Sequence, residues 1–93
     1  MVIGACTLEF HLPGCRSLKQ KRMVINRLKG RLSARFNVAV AEIDHQDLRQ
    51  RAAVAVVSVS SSRRVLESMF HKVVDEAERN VDGVLLRYDT EFL

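Results

Sequence analysis

Two apolar stripes at helical spacing, four β-rich runs, and the order strand, helix, strand, strand, helix, strand predict an α+β, ferredoxin-like β-α-β-β-α-β sandwich. Right-handed crossovers and a four-stranded antiparallel sheet carrying both helices on one face let every apolar stripe be buried. The 93 residues, 47% hydrophobic and 28% charged, suffice for one domain over residues 1–93 and leave no room for a second.

The first strand is read from strict alternation: Val2, Gly4, Cys6, Leu8, Phe10 and Leu12 lie on one side, Ile3, Ala5, Thr7, Glu9 and His11 on the other. Pro13-Gly14 ends it. Ser17 with Gln20 has the form of a capping box and opens a helix from about Leu18 to Arg35. At 100° per residue, Leu18, Val24, Ile25, Leu28, Leu32 and Phe36 gather on its core face. Lys21 falls in the same arc, and its stem is expected to lie on the core edge while the ammonium reaches water.

Residues 36–44 and 52–60 are β-rich and flank the polar run from His45 to Arg51, a hairpin with a long loop. Ser60-Ser61-Ser62 caps a second helix with the stripe Leu66, Met69, Phe70, Val73 and Ala77. Lys72 with Glu76, and Asp75 with Arg79, read as i,i+4 pairs on its solvated face. Asp82-Gly83 ends that helix, and Val84 to Leu93 alternates again, with Leu86, Tyr88, Thr90 and Phe92 facing one way.

No apolar run approaches the length of a membrane span and no secretion leader is evident, so a cytoplasmic protein without membrane contact is expected. Cys6 and Cys15 lack the spacing and the His partners of a zinc or redox site. Both read as reduced thiols, Cys6 in the core and Cys15 in a loop. Cys15, beside Arg16 and just before a helix N-terminus, is a weak candidate nucleophile with no positioned base. No cofactor and no metal is expected.

Net charge is +4, but its distribution is uneven. Residues 1–51 hold ten cations and four anions, +6, while residues 52–93 hold five and seven, −2. Between residues 11 and 41 there is no Asp or Glu, yet Arg16, Lys19, Lys21, Arg22, Arg27, Lys29, Arg31 and Arg35 all lie there. A helix surface with uncompensated cations suits a phosphate backbone; the structural alternative is a merely solvated face. Arg49 and Arg51 extend the cationic set into the hairpin loop, where His45, Gln46, Asp47 and Gln50 are candidate contact residues.

Within that loop a His beside carboxylates suits acid-base chemistry, and Glu42, Asp44, His45 and Asp47 suit a metal, but polar hairpins collect such residues for turn hydrogen bonds. His11 and His71 read as solvated. The outward sides of the central strands offer Ile3, Ala5, Thr7, Glu9, Ala53, Ala55 and Val57, without aromatics on which RNA bases would stack. That face better suits a second copy or a protein partner. Acyl phosphate hydrolysis on this fold class needs a Gly-rich loop against an Arg, with an Asn on the next strand. Arg16 and Asn37 are present without such a loop, and no enzyme is expected.

Taken together, Pro13-Gly14, Ser17-Leu18-Lys19-x-Lys21-Arg22, Arg35-Phe36-Asn37-Val38-x-Val40-Ala41-Glu42 and Asp47-Leu48-x-Gln50-Arg51-Ala52 resemble the YlxP-like family of small bacterial proteins, a domain of unknown function. The resemblance covers nearly the whole chain and departs at Arg49, where the family often has Trp. It implies a ferredoxin-like cytoplasmic protein with no established activity. In many bacteria family genes lie beside those for translation initiation factor two and ribosome-binding factor A, a gene neighbourhood that by association alone implies a ribosome-related role. The matching polar positions are Lys19, Lys21, Arg22, Asn37, Glu42, Asp47 and Gln50. The functional expectation is a small basic binding protein acting on RNA or a ribosomal particle through the first helix and the loop. Its alternative is a homo-oligomerising or adaptor domain that uses the open sheet face.

Overall fold

The computed structural model describes residues Met1 to Leu93. Six elements follow in the expected order: β1 (Val2–His11), α1 (Leu18–Arg35), β2 (Ala39–Asp44), β3 (Arg51–Ser60), α2 (Arg63–Asn80) and β4 (Val84–Phe92). The strands form one antiparallel sheet in the order β2-β3-β1-β4, the ferredoxin-like arrangement with β1 and β3 central. Neither helix is long and apolar enough to cross a membrane.

Alternation places Gly4, Cys6, Leu8 and Phe10 of β1 under the helices, facing Ile25, Leu28 and Leu32 of α1 and Leu66, Phe70, Val73 and Ala77 of α2. Burying these side chains contributes about 1.5–3 kcal/mol each and is the main term holding the layers together. Gly4 is needed for one close approach, because a Cβ there would lie 2.7 Å from the Phe70 ring. The Ser17 hydroxyl accepts the Gln20 backbone N–H at 3.1 Å, and Gln20 Oε1 accepts from the N–H of Arg16 instead of the cap residue's own N–H. The box therefore closes one residue early, joining the helix to the loop that enters it.

Two expectations fail for identifiable reasons. β4 carries an extra residue where Glu9 pairs with Arg87 but Phe10 pairs with Leu85. This bulge moves Leu85, not Leu86, onto the helix side, while Tyr88, Thr90 and Phe92 keep the expected side opposite Leu8, Cys6 and Gly4. Glu76, read as a solvated partner of Lys72, is instead buried between the helices. Its carboxylate accepts from Arg35 at 2.9 Å and lies 3.7 Å from Arg31. The i,i+4 ion pair actually present on α2 is Arg63–Glu67, at 2.8 Å.

Candidate nucleic-acid interface

Lys21 departs furthest from expectation. Its side chain does not reach water; it is 0% exposed. The ammonium donates to the backbone carbonyls of His45 at 2.7 Å and of Gln46 and Arg51 at 3.3 Å each. Glu42 Oε2 lies 2.8 Å away. Three donors meet three carbonyls, so Glu42 supplies countercharge and not a fourth bond. Lys21 is therefore withdrawn from the surface cations. It acts as an internal post on which the hairpin loop is hung.

The loop is tied down from every side. His45 takes the left-handed conformation, φ 59°, which costs a non-glycine residue about 1 kcal/mol or more and persists only when its surroundings hold it. Its N–H donates to Asp44 Oδ1 at 2.8 Å, and its carbonyl accepts from Leu48 as well as Lys21. Gln46 Nε2 donates to the Glu42 carbonyl. Gln50 Nε2 donates to the carbonyls of Pro13 and Cys15, and the Gln50 carbonyl accepts from Leu12 N–H and lies 3.2 Å from His11 Nδ1. Arg49 Nη1 donates to the Arg16 carbonyl. Gln46 and Gln50 thus spend their side-chain amides on fastening the loop, although both are exposed, while Asp47, Leu48 and Arg49 form its exposed tip.

Beneath the loop, on the open sheet face, Glu9 collects two guanidinium groups and an imidazole. His45 Nε2 lies 3.2 Å and Arg51 Nη2 3.6 Å from one carboxylate oxygen, and Arg87 Nε bonds the other. The hydrogen bond from Arg87, then that from His45, with the charges of Arg87 and Arg51, hold the Glu9 carboxyl below the usual carboxylate range against the opposing effect of burial. Arg51 is therefore committed to Glu9. Sequence reading put Glu9 on the outward side of β1 but had no signal for Arg87, which arrives through the bulged register of β4. The rest of this face carries Ile3, Ala5, Ala55, Val57 and Val59, without aromatics.

The remaining cations ring α1. Successive residues turn by 100°, which puts Arg22 and Lys29 on one flank, Lys19 on the crest, and Arg27, Arg31 and Arg35 on the other flank. Arg31 and Arg35 share the Glu76 carboxylate. Arg16, Lys19, Arg22, Arg27, Lys29 and Arg49 have no carboxylate within ion-pair reach. Four of these, Arg16, Lys19, Arg22 and Arg49, converge on one end of the molecule, because the loop is fastened to the segment leading into α1. The α1 first turn holds no acidic residue. Cations there oppose the helix dipole, at roughly 0.3–1 kcal/mol each.

The other candidate chemistry does not assemble. Glu42, Asp44, His45 and Asp47 form no group able to hold a metal ion. Arg16 and Asn37 sit beyond opposite ends of an 18-residue helix, about 27 Å apart along its axis. Cys15 lies in the loop before α1, as expected, but is buried there; burial raises its thiol pKa, Lys21 opposes that rise and Asp82 adds to it. Burial, with a smaller effect from Asp89, pushes Cys6 up to about 11. Both thiols are expected to resist Ellman's reagent at mildly alkaline pH in the native protein and to react once urea unfolds it. A fast-reacting native thiol would show that Cys15 is accessible.

The sheet order, the two helices on one face and the basic, loop-capped end define a ferredoxin-like α+β protein. Two solved structures share that fold: the de novo designed protein Ferredog-Diesel (TM-score 0.52, 15% identity, covering 96% of this chain and 83% of that one) and a point mutant of SnoaB, a cofactor-independent oxygenase from Streptomyces nogalater (TM-score 0.55, 8% identity, covering 98% and 90%). At such identities the likeness is one of fold alone. Within that class the chain belongs to the family described as Protein of unknown function (DUF503), which matches residues 3–90. It is 37% identical over 73 residues to the Uncharacterized protein YlxP of Bacillus subtilis (strain 168), covering 78% of this chain and 79% of that one.

Proposed function

We propose that this protein binds RNA, free or within a ribosomal particle, in the bacterial cytoplasm. The contact is the basic end of the molecule, where Arg16, Lys19, Arg22 and Arg49 surround the start of α1, extended along the helix by Arg27 and Lys29. The observation that carries the proposal is a helix start with basic residues, no acidic residue in its first turn and no ion-pair partners for Lys19 and Arg22. A phosphate placed there meets side-chain cations and the positive end of the helix dipole together, which offsets the cost of crowding like charge at that point. Arg31 and Arg35, half-neutralised by Glu76, contribute less, and Lys21 contributes only by holding the loop that carries Arg49.

Binding of labelled single-stranded RNA, followed by fluorescence anisotropy, tests this. Neutralising four phosphates predicts an affinity that falls about fifty-fold between 50 and 200 mM salt, from a slope of roughly −0.7 per phosphate. Lys19→Glu with Arg22→Glu is expected to weaken binding by about tenfold or more at fixed salt and to flatten that slope. Salt-independent binding, or no loss in the double variant, would overturn the proposal.

An oligomeric or adaptor role through the open sheet face is the alternative, favoured by one observation: Val57 and Val59 are exposed there beside Ile3 and Ala5. Measuring oligomeric state together with RNA affinity separates the two, since only the first requires RNA.

A further inference from the structure

We infer that β4 is a self-pairing edge: two copies join their β4 strands antiparallel about a two-fold axis at Tyr88, merging two four-stranded sheets into one of eight. This surface is distinct from the open sheet face and from the basic end, so it stands or falls independently of RNA binding.

The sheet has two edges, and they are not alike. β2 is six residues long, is interrupted by a bulge beside Glu42 and Asp44, and runs directly into the tied-down loop. β4 is nine residues long, carries no Pro and no Lys, and exposes Val84, Leu86 and Tyr88 by about half each. Short length, bulges, Pro and charged side chains, Lys above all, are the usual devices that blunt an edge; β4 has the bulge at its start and the charges of Arg87, Asp89 and Glu91, which are of mixed sign and so can be matched by a second copy in the right register.

The backbone specifies which residues face outward. Ile3 and Leu93 exchange both backbone hydrogen bonds, at 3.2 and 2.8 Å, so the hydrogen-bonded pairs continue as Ala5/Glu91, Thr7/Asp89 and Glu9/Arg87. The N–H and C=O groups of Tyr88, Thr90 and Phe92 therefore point away from β1. A second β4 must match outward residues with outward residues, which leaves three central registers. Centring on Thr90 sets Asp89 against Glu91 of the second copy twice. Centring on Asp89 sets that carboxylate against its own copy. Centring on Tyr88 pairs Leu86–Thr90 with the same segment of the second copy, the bulge ending the ladder beyond it, and sets Arg87 opposite Asp89 of the second copy twice, with no like charges opposed.

The side chains are free to make these contacts. Arg87 holds Glu9 through Nε, leaving its terminal nitrogens available, and Asp89 has no ion-pair partner in its own chain. Tyr88 lies on the helix side at the mouth of a cleft of about 210 Å³ between α2 and β4, lined also by Phe70, His71, Thr90 and Phe92. Tyr88 of the second copy would stand against that mouth.

Light scattering on the purified protein at micromolar concentration should give twice the monomer mass. Tyr88→Pro deletes an outward N–H and none that β1 uses, and Asp89→Arg opposes Arg87 with a like charge. Each is expected to weaken dimerisation at least tenfold while keeping the wild-type circular dichroism spectrum. Tyr88→Cys should oxidise to a disulfide-linked dimer, because residues paired across the axis lie about 5.5 Å apart at Cα and the two native cysteines are buried. A monomeric wild type, a folded Asp89→Arg variant that dimerises as wild type does, or a Tyr88→Cys protein that does not cross-link would each overturn the assignment.

Discussion

Lys21→Met is expected to lower stability by about 3 kcal/mol and the melting temperature by more than about 10 °C, an effect far larger than that of any other α1 cation. The methionine fills similar space, so the loss is not one of volume. It arises because the carbonyls of His45, Gln46 and Arg51 lose their shared donor and Glu42 loses its countercharge in a place water does not reach. Glu42→Gln should cost less, about 1 kcal/mol, since the ammonium keeps its three carbonyls. Urea denaturation measures both, and amide shifts confined to residues 45–51 distinguish loop release from general loosening. A loss in Lys21→Met no larger than in Lys19→Met would show that the ammonium is hydrated after all. If loop and basic end act together, Lys21→Met should also weaken RNA binding without touching a surface charge.

Gly83→Ala is expected to cost about 2 kcal/mol. A Cβ at this position would stand 2.5 Å from the carbonyl oxygen of His11 and 2.8 Å from Leu12 Cδ2. The first neighbour is backbone within the β1–β4 pairing and has no rotamer to escape into, so the start of β4 must move. Gly30 is the internal comparison: nothing lies within 4 Å of its added Cβ and it sits inside α1, where Gly→Ala should stabilise by about 0.5–1 kcal/mol. Opposite signs in thermal denaturation are the expected result; a neutral Gly83→Ala would mean that the strand junction yields freely.

The element order, the α1 boundaries and the core side of β1 were legible because each rests on local spacing: alternation, an apolar arc, a serine cap. What was not legible depends on partners distant in sequence. Lys21 fell in the apolar arc of its helix and was sent to water, since nothing local reveals that three carbonyls 24 to 30 residues later surround its ammonium. Glu76 looked solvated because Lys72 stood at i−4, while its real partners lie on the other helix. Leu86 lost its place to Leu85 through a bulge visible only in the register against β1. For the candidate site, the sequence shows only the excess of cations on α1 and the loop. Which of them remain free required knowing where Glu9 and Glu76 sit.

The position of β1 within the sheet has a consequence for the order in which the chain becomes a protein. β1 is synthesised first of the six elements, yet it pairs with β3 on one side and with β4, the last, on the other. During synthesis its second edge stays unpaired until Val84–Phe92 has emerged, with Cys6, Leu8 and Phe10 already committed to the helices. Long-range pairing of this kind slows folding and leaves a strand edge open to strangers in the meantime.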